Sequence, residues 1–196
     1  MRRGRVDPAE GAVVIARAEA IAAVLDRAGD ALVITANGWI SREACAARDR
    51  DENFYMLGSM GLASSIGLGV ALTNPHRRVI VLDGDGNLMM GLGTLALVAD
   101  QQPLNFVHVV LDNEMYGSTG GQRSLSKNVD LDEVARAAGY ASVRRIADLA
   151  ELDDALTLLG PVFVLIKVAP VAHGEAPRVP HAPHAIAQRF RAAVEG

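Results

Sequence analysis

Two kinds of hydrophobic pattern alternate along the chain. Apolar residues recur at helical spacing in six segments, which predict helices; these are residues 12–28, 60–73, 87–100, 131–140, 147–160 and 184–195. Continuous apolar runs, typical of buried strands, occupy residues 31–38, 78–84, 105–113, 141–146 and 161–169. Buried strands that alternate with helices predict an α/β fold, in which a parallel sheet carries helices on both faces.

The remaining segments complete the predicted organisation. Residues 41–53 are dense in charge and are expected to be exposed, and the proline-rich residues 170–183 are expected to run extended over the surface. A length of 196 residues suits one domain better than two. We therefore predict a single domain over residues 12–196, preceded by an extension of residues 1–11. Three histidines near the C-terminus are interpreted as surface residues: His173, His181 and His184.

Composition and charge narrow the classes of function. Hydrophobic residues make up 50% of the chain and aromatic residues only 4%, which predicts an aliphatic core. The net charge is −4 with both signs mixed, whereas a general nucleic-acid binder would show a basic patch. The single cysteine, Cys45, fits a reducing compartment and is interpreted as a small buried side chain. No signal peptide is apparent and no apolar run reaches the ~20 residues that span a bilayer, so we expect a cytoplasmic protein.

The predicted helix over residues 60–73 is unusually rich in small residues. Each glycine in it weakens an isolated helix by about 1 kcal/mol relative to alanine. Such a helix is favoured only where another group approaches its backbone closely. Pro75 is expected to end it.

Polar clusters follow two of the predicted strands, at 83-DGDGN-87 and 112-DNEMYGSTGGQ-122. Ligands of open parallel sheets bind beyond the carboxyl ends of the strands. Asp85 lies just before a helix N-terminus, which attracts phosphate, but a carboxylate repels phosphate unless a cation lies between them. Mg²⁺ takes carboxylate, amide and phosphate oxygens, and Asn113 offers an amide oxygen. The two strand ends therefore predict a shared Mg²⁺–phosphate site, in which Asp83 has no assigned role.

The Gly-Asp-Gly at residues 84–86, followed by Asn113 after a helix and a strand, resembles the diphosphate-binding motif of thiamine-diphosphate enzymes. The resemblance implies that Mg²⁺ is held by the side chains of Asp85 and Asn113 and by the backbone carbonyl of Met115. Asp112 departs from the family pattern, which has a first asparagine there. The cofactor-binding residues implied are Gly58, Ser59, Met60, Gly84, Asp85, Gly86, Asn87, Asn113, Met115, Tyr116 and Gly117.

A second element, 58-GSMGLASSIGLG-69, resembles the Gly-X-hydrophobic-Gly segment of the decarboxylases in this family. The resemblance implies that the Gly58 carbonyl accepts a hydrogen bond from the 4′-amino group of the cofactor, and that the Met60 side chain wedges the two cofactor rings into a V. Both residues would thus orient the cofactor for catalysis. The small residues of the following helix would let the cofactor and a partner domain come close.

Together with VLDGDG and LDNEMYGSTGGQ, this element resembles the β subunits of sulfopyruvate decarboxylases and the C-terminal part of phosphonopyruvate decarboxylases. The resemblance covers roughly residues 12–195 and is weakest at 36–50 and in the tail. It implies a carboxy-lyase that converts a small anionic 2-oxo acid into an aldehyde and CO₂. The loop after Asn113 contains candidate hydrogen-bond donors to the sulfonate or phosphonate group. They are Ser118, Thr119, Gln122 and Arg123. The alternative is a polar loop that only covers the cofactor.

One catalytic part of the family has no counterpart in this sequence. In the family, a glutamate from a pyrimidine-binding domain contacts N1′ of the cofactor. The available carboxylates Glu43, Glu52 and Glu114 lie outside that context and are interpreted as surface or locally bonded residues. We therefore predict a separate pyrimidine-domain (α) subunit in a hetero-oligomer.

Other functions stay open. The chain could be the small subunit of an acetolactate-synthase-like or 2-oxoacid ferredoxin oxidoreductase enzyme, although the latter normally brings more cysteines than Cys45. A non-catalytic phosphate-binding regulator on the same fold would be expected to have lost Asp85 or Asn113, and both are present.

Overall fold

The computed structural model describes residues 15–171 and 174–196. Its strands are β1 (Leu32–Thr35), β2 (Asn53–Tyr55), β3 (Val79–Gly84), β4 (Phe106–Asp112), β5 (Met115–Tyr116), β6 (Gln122–Arg123), β7 (Ser142–Ile146) and β8 (Val162–Lys167). Six of them form one sheet in the order β2-β1-β3-β4-β8-β7, and every pair in it is parallel. The short strands β5 and β6 form a separate antiparallel hairpin.

Eight α-helices connect and follow these strands in the described residues. They are α1 (Arg17–Arg27), α2 (Trp39–Ala47), α3 (Ala63–Thr73), α4 (Asp85–Met90), α5 (Thr94–Gln101), α6 (Leu131–Ala138), α7 (Leu152–Thr157) and α8 (Pro183–Glu195). Every residue of the central strand β4 is buried, so this strand is covered on both faces. The predicted α/β fold with a parallel sheet is therefore confirmed.

The core is aliphatic, as predicted, with an aromatic and polar cluster at its centre. Leu, Ile and Val side chains fill the sheet, and most of those in β3 and β8 are fully buried. A small aromatic group lies around His108, whose ring contacts Phe106, Phe163 and Tyr140 with centroid separations of 6.0, 5.4 and 6.4 Å. A histidine at this position introduces hydrogen-bonding atoms into an otherwise apolar core.

The prediction of an exposed segment at residues 41–53 is confirmed only in part, because residues 46–49 and 51 are exposed but residues 41, 43, 44 and 53 are buried. Helix α2 and strand β2 occupy most of it. Ser41 is 1% exposed, and its hydroxyl donates to the carbonyls of Ala36 and Met56 at 2.9 Å each. Glu43 is also buried and accepts two hydrogen bonds from the Arg17 guanidinium at 2.8 and 2.7 Å. The charge density was misleading because this carboxylate is neutralised by a residue from α1.

The single helix predicted over residues 87–100 is two helices, α4 and α5, separated by residues 91–93. Gly91 lies at the break, where a Cβ atom would overlap the carbonyl oxygen of Gly61. The backbone of the turn before α3 therefore rests directly on the end of α4. This close approach requires a residue without a side chain at the break.

The small residues of α3 have more than one role. A Cβ atom at Gly67 would overlap Val81 on β3, so this glycine lets the helix pack closely on the sheet. Gly69 faces open space. The close approach predicted from the small residues is therefore, at Gly67, an approach of the helix to its own sheet.

Several smaller expectations concern the ends of the chain and Cys45. Residues 174–182 have no regular structure, as expected, and α8 follows them. His184 is exposed, whereas the His181 imidazole packs beside Asp49 with Nε2 2.7 Å from Oδ2. Cys45 is half-buried rather than buried, and burial raises the pKa of its thiol. The predicted extension of residues 1–11 and His173 lie outside the described residues.

Within residues 15–171 and 174–196, each helix is too short or too polar to cross a membrane.

Candidate functional site

The two predicted polar clusters lie together beyond the carboxyl ends of β3 and β4, which are neighbours in the sheet. Asp85 is the first residue of α4 and follows β3 directly, while Asn113 follows β4. Both side chains are buried, with residue exposures of 2% and 6%. Adjacent parallel strands that end at the same edge bring these residues together, although 27 other positions separate them in the chain.

The Asn113 amide group meets two acceptor oxygens at this edge, and with its oxygen turned toward them it also accepts a hydrogen bond from the Met115 backbone N–H at 3.3 Å. The amide oxygen of Asn113 lies 3.1 Å from Asp85 Oδ1 and 2.9 Å from the carbonyl oxygen of Met115, and turning the amide over would replace both contacts by hydrogen bonds. Ligand oxygens of an octahedral Mg²⁺ ion, at about 2.1 Å from the metal, lie about 2.9 Å apart along an octahedron edge. We name these three atoms the oxygen triad. Its spacing and chemistry fit a hard divalent cation.

The second oxygen of Asp85 is held by hydroxyl groups. Ser124 and Ser126 both donate to Oδ2, the latter at 3.0 Å. Burial raises the pKa of Asp85 to about 6, the serine hydrogen bonds oppose this rise, and the nearby charge of Asp112 adds to it. A cation at the oxygen triad would favour the ionised carboxylate.

Asp112, where the family pattern has asparagine, is compensated by a lysine. Lys167 Nζ lies 2.5 Å from Asp112 Oδ2 and 2.9 Å from Glu114 Oε1. The Ser126 hydroxyl also lies 2.7 Å from the other Asp112 oxygen, so it stands between the carboxylates of Asp85 and Asp112 and can donate its one proton to either. The extra negative charge therefore sits beside the oxygen triad together with its own counter-ion.

Sequence reasoning missed Ser124, Ser126 and Lys167. Lys167 is the lone charged residue of the apolar run at 161–169, and a charge at the end of a buried strand was an available signal. The two serines carry no such signal, because only the fold of the segment after β6 brings them back to Asp85.

The Gly58–Met60 element forms a turn before α3. Gly58 and Ser59 are exposed and Met60 is partly buried. Ser59 has a φ of +57° and Gly61 a φ of +96°. A serine in this region is uncommon and is retained only where the surroundings determine the backbone. We name residues 58–61 the Met60 turn.

The Met60 turn meets the start of α4. A Cβ atom placed on Gly86 would lie 3.4 Å from Met60 Cε and would overlap the Tyr116 ring, so this position has no room for a side chain. Met60, Gly86 and Tyr116, which the sequence assigned to one site, are thus neighbours in the structure.

Asn87 uses its side chain within the protein. Its Nδ2 donates to Asp83 Oδ1 at 2.5 Å, and its Oδ1 accepts from the Gly61 backbone N–H at 2.7 Å. Gly84 donates its backbone N–H to the same Asp83 oxygen at 2.8 Å. A contact of Asn87 with a diphosphate would therefore come from its backbone, and the assignment of Gly84 and Asn87 to the cofactor stays a prediction.

The four predicted substrate residues lie on or beside the β5–β6 hairpin, and all are exposed. Gly117, just before them, is partly buried. Thr119 Oγ1 donates to Gln122 Oε1 at 3.0 Å. A Cβ atom on Gly38 would be 3.6 Å from Ser118 Cβ, so the loop lies against the turn between β1 and α2. The structure thus brings Ser118, Thr119, Gln122 and Arg123 to the rim of the site.

Comparison with protein families identifies the chain. Residues 35–168 match the family model described as thiamine pyrophosphate enzyme, C-terminal TPP binding domain, where thiamine pyrophosphate (TPP) is another name for thiamine diphosphate. This chain belongs to the thiamine pyrophosphate enzymes. The family resemblance seen in the sequence is therefore confirmed.

Curated relatives refine this membership. The chain is 46% identical to a phosphonopyruvate decarboxylase of Streptomyces viridochromogenes over 92% of its own length, but spans only 46% of that protein. It is 43% identical to the sulfopyruvate decarboxylase subunit beta of Methanothermobacter thermautotrophicus over 94% of its length and 98% of that subunit. The chain thus matches about half of one relative and nearly the whole of the other.

A solved structure supports the fold. The crystal structure of benzoylformate decarboxylase from Polynucleobacter necessarius superposes with a TM-score of 0.65, covering 89% of this chain and 36% of that one, at 17% identity. At this identity the comparison speaks for the fold alone.

Proposed function

We propose that this chain is the cofactor-binding β subunit of a thiamine-diphosphate-dependent decarboxylase for a small anionic 2-oxo acid, sulfopyruvate or phosphonopyruvate. The observation that carries the proposal is the oxygen triad of Asp85, Asn113 and Met115, which lies next to the Met60 turn. The names of the two curated relatives supply the substrate class.

The oxygen triad would hold Mg²⁺. Asp85 would contribute a carboxylate oxygen, Asn113 an amide oxygen and Met115 its carbonyl oxygen, a donor set that suits a hard cation. Ser124 and Ser126 would keep the second Asp85 oxygen turned away from the metal, because both hydroxyls already donate to it.

The diphosphate of the cofactor would lie between this cation and the start of α4. The backbone at Gly86 and Asn87 would face it, with Gly84, Tyr116 and Gly117 lining the site. Gly86 suits this role because any side chain at this position would overlap the neighbouring Tyr116 ring.

The Met60 turn would orient the organic part of the cofactor. Gly58 and Ser59 are exposed, so their backbone groups are accessible. The Met60 side chain would pack against the two cofactor rings and wedge them into a V. When bound, thiamine diphosphate supplies the electron sink that decarboxylation of a 2-oxo acid requires. The residues of this chain bind and orient it.

A partner subunit would complete the site. The carboxylate of Glu43 is paired with Arg17, and that of Glu114 with Lys167, so neither is available for the cofactor. Leu57, Leu62 and Met90 lie around the Met60 turn and are 52%, 49% and 64% exposed. Exposed apolar patches of this kind mark interaction sites. A pyrimidine-domain (α) subunit would cover them and bring the missing glutamate.

The substrate anion would be met by Ser118, Thr119, Gln122 and Arg123 at the rim. These side chains offer hydroxyl, amide and guanidinium donors, which suit a sulfonate or phosphonate. The cytoplasmic location expected from the sequence stays a prediction.

Two measurements test the proposal. Calorimetry on the purified chain should detect thiamine diphosphate only in the presence of Mg²⁺. The chain should then be mixed with a pyrimidine-domain subunit and assayed for CO₂ release from sulfopyruvate, phosphonopyruvate and pyruvate in parallel. We expect activity with one of the two anionic substrates and only in the mixture. Full activity of the chain alone, or acetolactate as the product from pyruvate, would contradict the proposal.

A further inference from the structure

A chain of buried polar groups runs from the core to the Met60 turn. Its members come from the loop after α6, from β4, from β3, from α4 and from the turn itself. We name it the Asp83 relay; its members are Tyr140, His108, Asp83, Asn87 and the backbone N–H of Gly61. Asp83 and His108 are completely buried, and Tyr140 and Asn87 are 6% exposed.

Each link of the relay has hydrogen-bond length. The Tyr140 hydroxyl lies 3.2 Å from His108 Nδ1, and His108 Nε2 lies 3.0 Å from Asp83 Oδ2. Asn87 Nδ2 donates to Asp83 Oδ1 at 2.5 Å, and Gly61 N–H donates to Asn87 Oδ1 at 2.7 Å. The strand register makes the central link possible, because His108 pairs with Val81 and therefore faces the same side of the sheet as Asp83.

One arrangement of protons satisfies all these groups. A neutral His108 with its proton on Nε2 donates to the Asp83 carboxylate, and Nδ1 accepts from the Tyr140 hydroxyl. Burial raises the pKa of Tyr140, which keeps the hydroxyl protonated as a donor. Asp83 then accepts three hydrogen bonds, from His108, Asn87 and the Gly84 backbone.

The relay cannot carry protons to the turn, because an asparagine amide has no titratable group. Its strands are otherwise apolar, and an apolar side chain at Asp83 would avoid the cost of burying a carboxylate. The groups that donate hydrogen bonds to the carboxylate explain why an aspartate occupies this position. One of its oxygens fixes the backbone of Gly84, the residue before Asp85, and also fixes Asn87, which in turn holds Gly61.

We propose that Asp83, seated by His108 and Tyr140, is a positioning residue that fixes the Met60 turn relative to the metal-binding end of the site. This inference rests on the proposed function, because it assigns the two ends to two parts of one cofactor. The turn needs an anchor, since Ser59 and Gly61 both have positive φ and Gly58 and Ser59 are exposed. The relay contacts the Met60 turn through the hydrogen bond from the Gly61 N–H to Asn87 Oδ1.

Three variants of the full chain separate positioning from general stability. Asp83→Leu removes all three acceptor contacts and keeps the branching of the side chain. In Asp83→Asn, the amide oxygen can still accept from Gly84 and Asn87. The amide nitrogen can donate to His108 Nε2 once the histidine proton moves to Nδ1. This variant should therefore preserve the position of the Met60 turn. Asn105→Ala is the matched control, because Asn105 bonds the carbonyls of Ala71, Asn74 and Arg77 at the far end of α3. His108→Phe provides a second disruptive variant in case Asp83→Leu does not fold.

The first readout is hydrogen exchange of the Gly61 amide by NMR, which needs neither cofactor nor partner. Asp83→Leu should raise its exchange rate at least about 10-fold, since local opening then loses its anchor. His108→Phe should raise it less. Asp83→Asn and Asn105→Ala should leave it within about 3-fold of the unaltered chain. An unchanged rate in both disruptive variants would overturn the proposal.

The second readout is the affinity for thiamine diphosphate with Mg²⁺, measured by calorimetry. Variants that loosen the Gly61 amide should lose affinity at least about 10-fold, or 1.4 kcal/mol, whereas Asp83→Asn and Asn105→Ala should keep it. A loosened amide with unchanged affinity would overturn the positioning role. If the unaltered chain bound no thiamine diphosphate even when mixed with a pyrimidine-domain subunit, the proposed function would fail, and the amide comparison would still decide whether the relay anchors the turn.

Discussion

Asp83 of the relay and Asp85 of the oxygen triad lie two residues apart in the chain, and both carboxylates are buried. Their surroundings differ. Asp83 accepts three hydrogen bonds from protein groups. Asp85 has one oxygen bonded to serines, while the other faces the amide oxygen of Asn113. A fully paired carboxylate holds its surroundings in place, whereas a carboxylate oxygen that faces other acceptors suits a cation. Under the proposed function, the same side chain has a structural role at Asp83 and binds a metal at Asp85.

The largest effect that would test this contrast is the loss of Asp85. Asp85→Ala should lower the affinity for thiamine diphosphate with Mg²⁺ by about 100-fold or more, equivalent to about 2.7 kcal/mol, because a direct charged ligand is removed. Its unfolding free energy should change little, because the cost of burying this carboxylate, which raises its pKa to about 6, offsets its hydrogen bonds from Ser124 and Ser126. Calorimetry and thermal unfolding measure the two quantities, and tight Mg²⁺-dependent binding by the variant would refute the metal assignment.

The reverse pattern is expected for Asp83. Asp83→Leu should lower the unfolding free energy by about 3 kcal/mol, because the donors of His108 and Asn87 lose their acceptor inside the core. Denaturant unfolding measures this change, with Asp83→Asn as the control. An Asp83→Leu protein as stable as the unaltered chain would show that the relay is not required by the core.

Metal alone should sharpen the contrast further. Added Mg²⁺ should raise the melting temperature of the unaltered chain, because a ligand that binds the folded state stabilises it by about 2.7 kcal/mol at 100 times its dissociation constant. The chelator EDTA should reverse the shift. Asp85→Ala should show no shift, and an equal shift in that variant would place the metal elsewhere.

Lys167 offers a smaller test on the side of the oxygen triad. Lys167→Met removes the counter-ion of Asp112 and should destabilise the chain by about 1 kcal/mol, because the lysine is partly exposed and solvent already weakens its attraction to the buried carboxylate. The double variant Lys167→Met, Asp112→Asn should recover this loss, since it restores the asparagine of the family pattern. Denaturant unfolding of the four proteins in this cycle gives the coupling, and additive effects would argue against the pair.

The smallest effect is expected at the outer end of the relay. Tyr140→Phe removes one hydroxyl from His108 and should cost about 1 kcal/mol of unfolding free energy. Its ring contacts with Phe163 would remain. A loss as large as that of Asp83→Leu would show that the hydroxyl, rather than the carboxylate, is the main anchor.

Much of the fold could be predicted from local pattern, and the failures share a cause. The buried strands stand out because their apolar runs are continuous. Helix α2 was missed because the charge of Glu43 is cancelled by Arg17, 26 residues earlier. The break at Gly91 was missed, and the group that excludes a side chain there, the Gly61 carbonyl, belongs to a different segment. Both errors concern contacts between residues distant in sequence.

The candidate site divides along the same line. Asp85, Asn113 and Met115 could be found from the sequence, because strand ends of a parallel sheet meet at one edge and their residue types are those a hard cation prefers. Ser124, Ser126 and Lys167 could not, since their contacts depend on how the hairpin and the end of β8 return to that edge.

The sequence by itself determined the parallel α/β architecture, the family and the oxygen atoms suited to Mg²⁺, because each follows from local patterns and their order. It could not separate Asp83 from Asp85, which are identical residues in the same short motif. The tertiary structure decided between them. The register of β4 against β3 sets His108 beside Asp83, whereas the segment after β4 turns acceptor oxygens toward Asp85. The role of a buried carboxylate is set by the donors and acceptors that distant segments place around it.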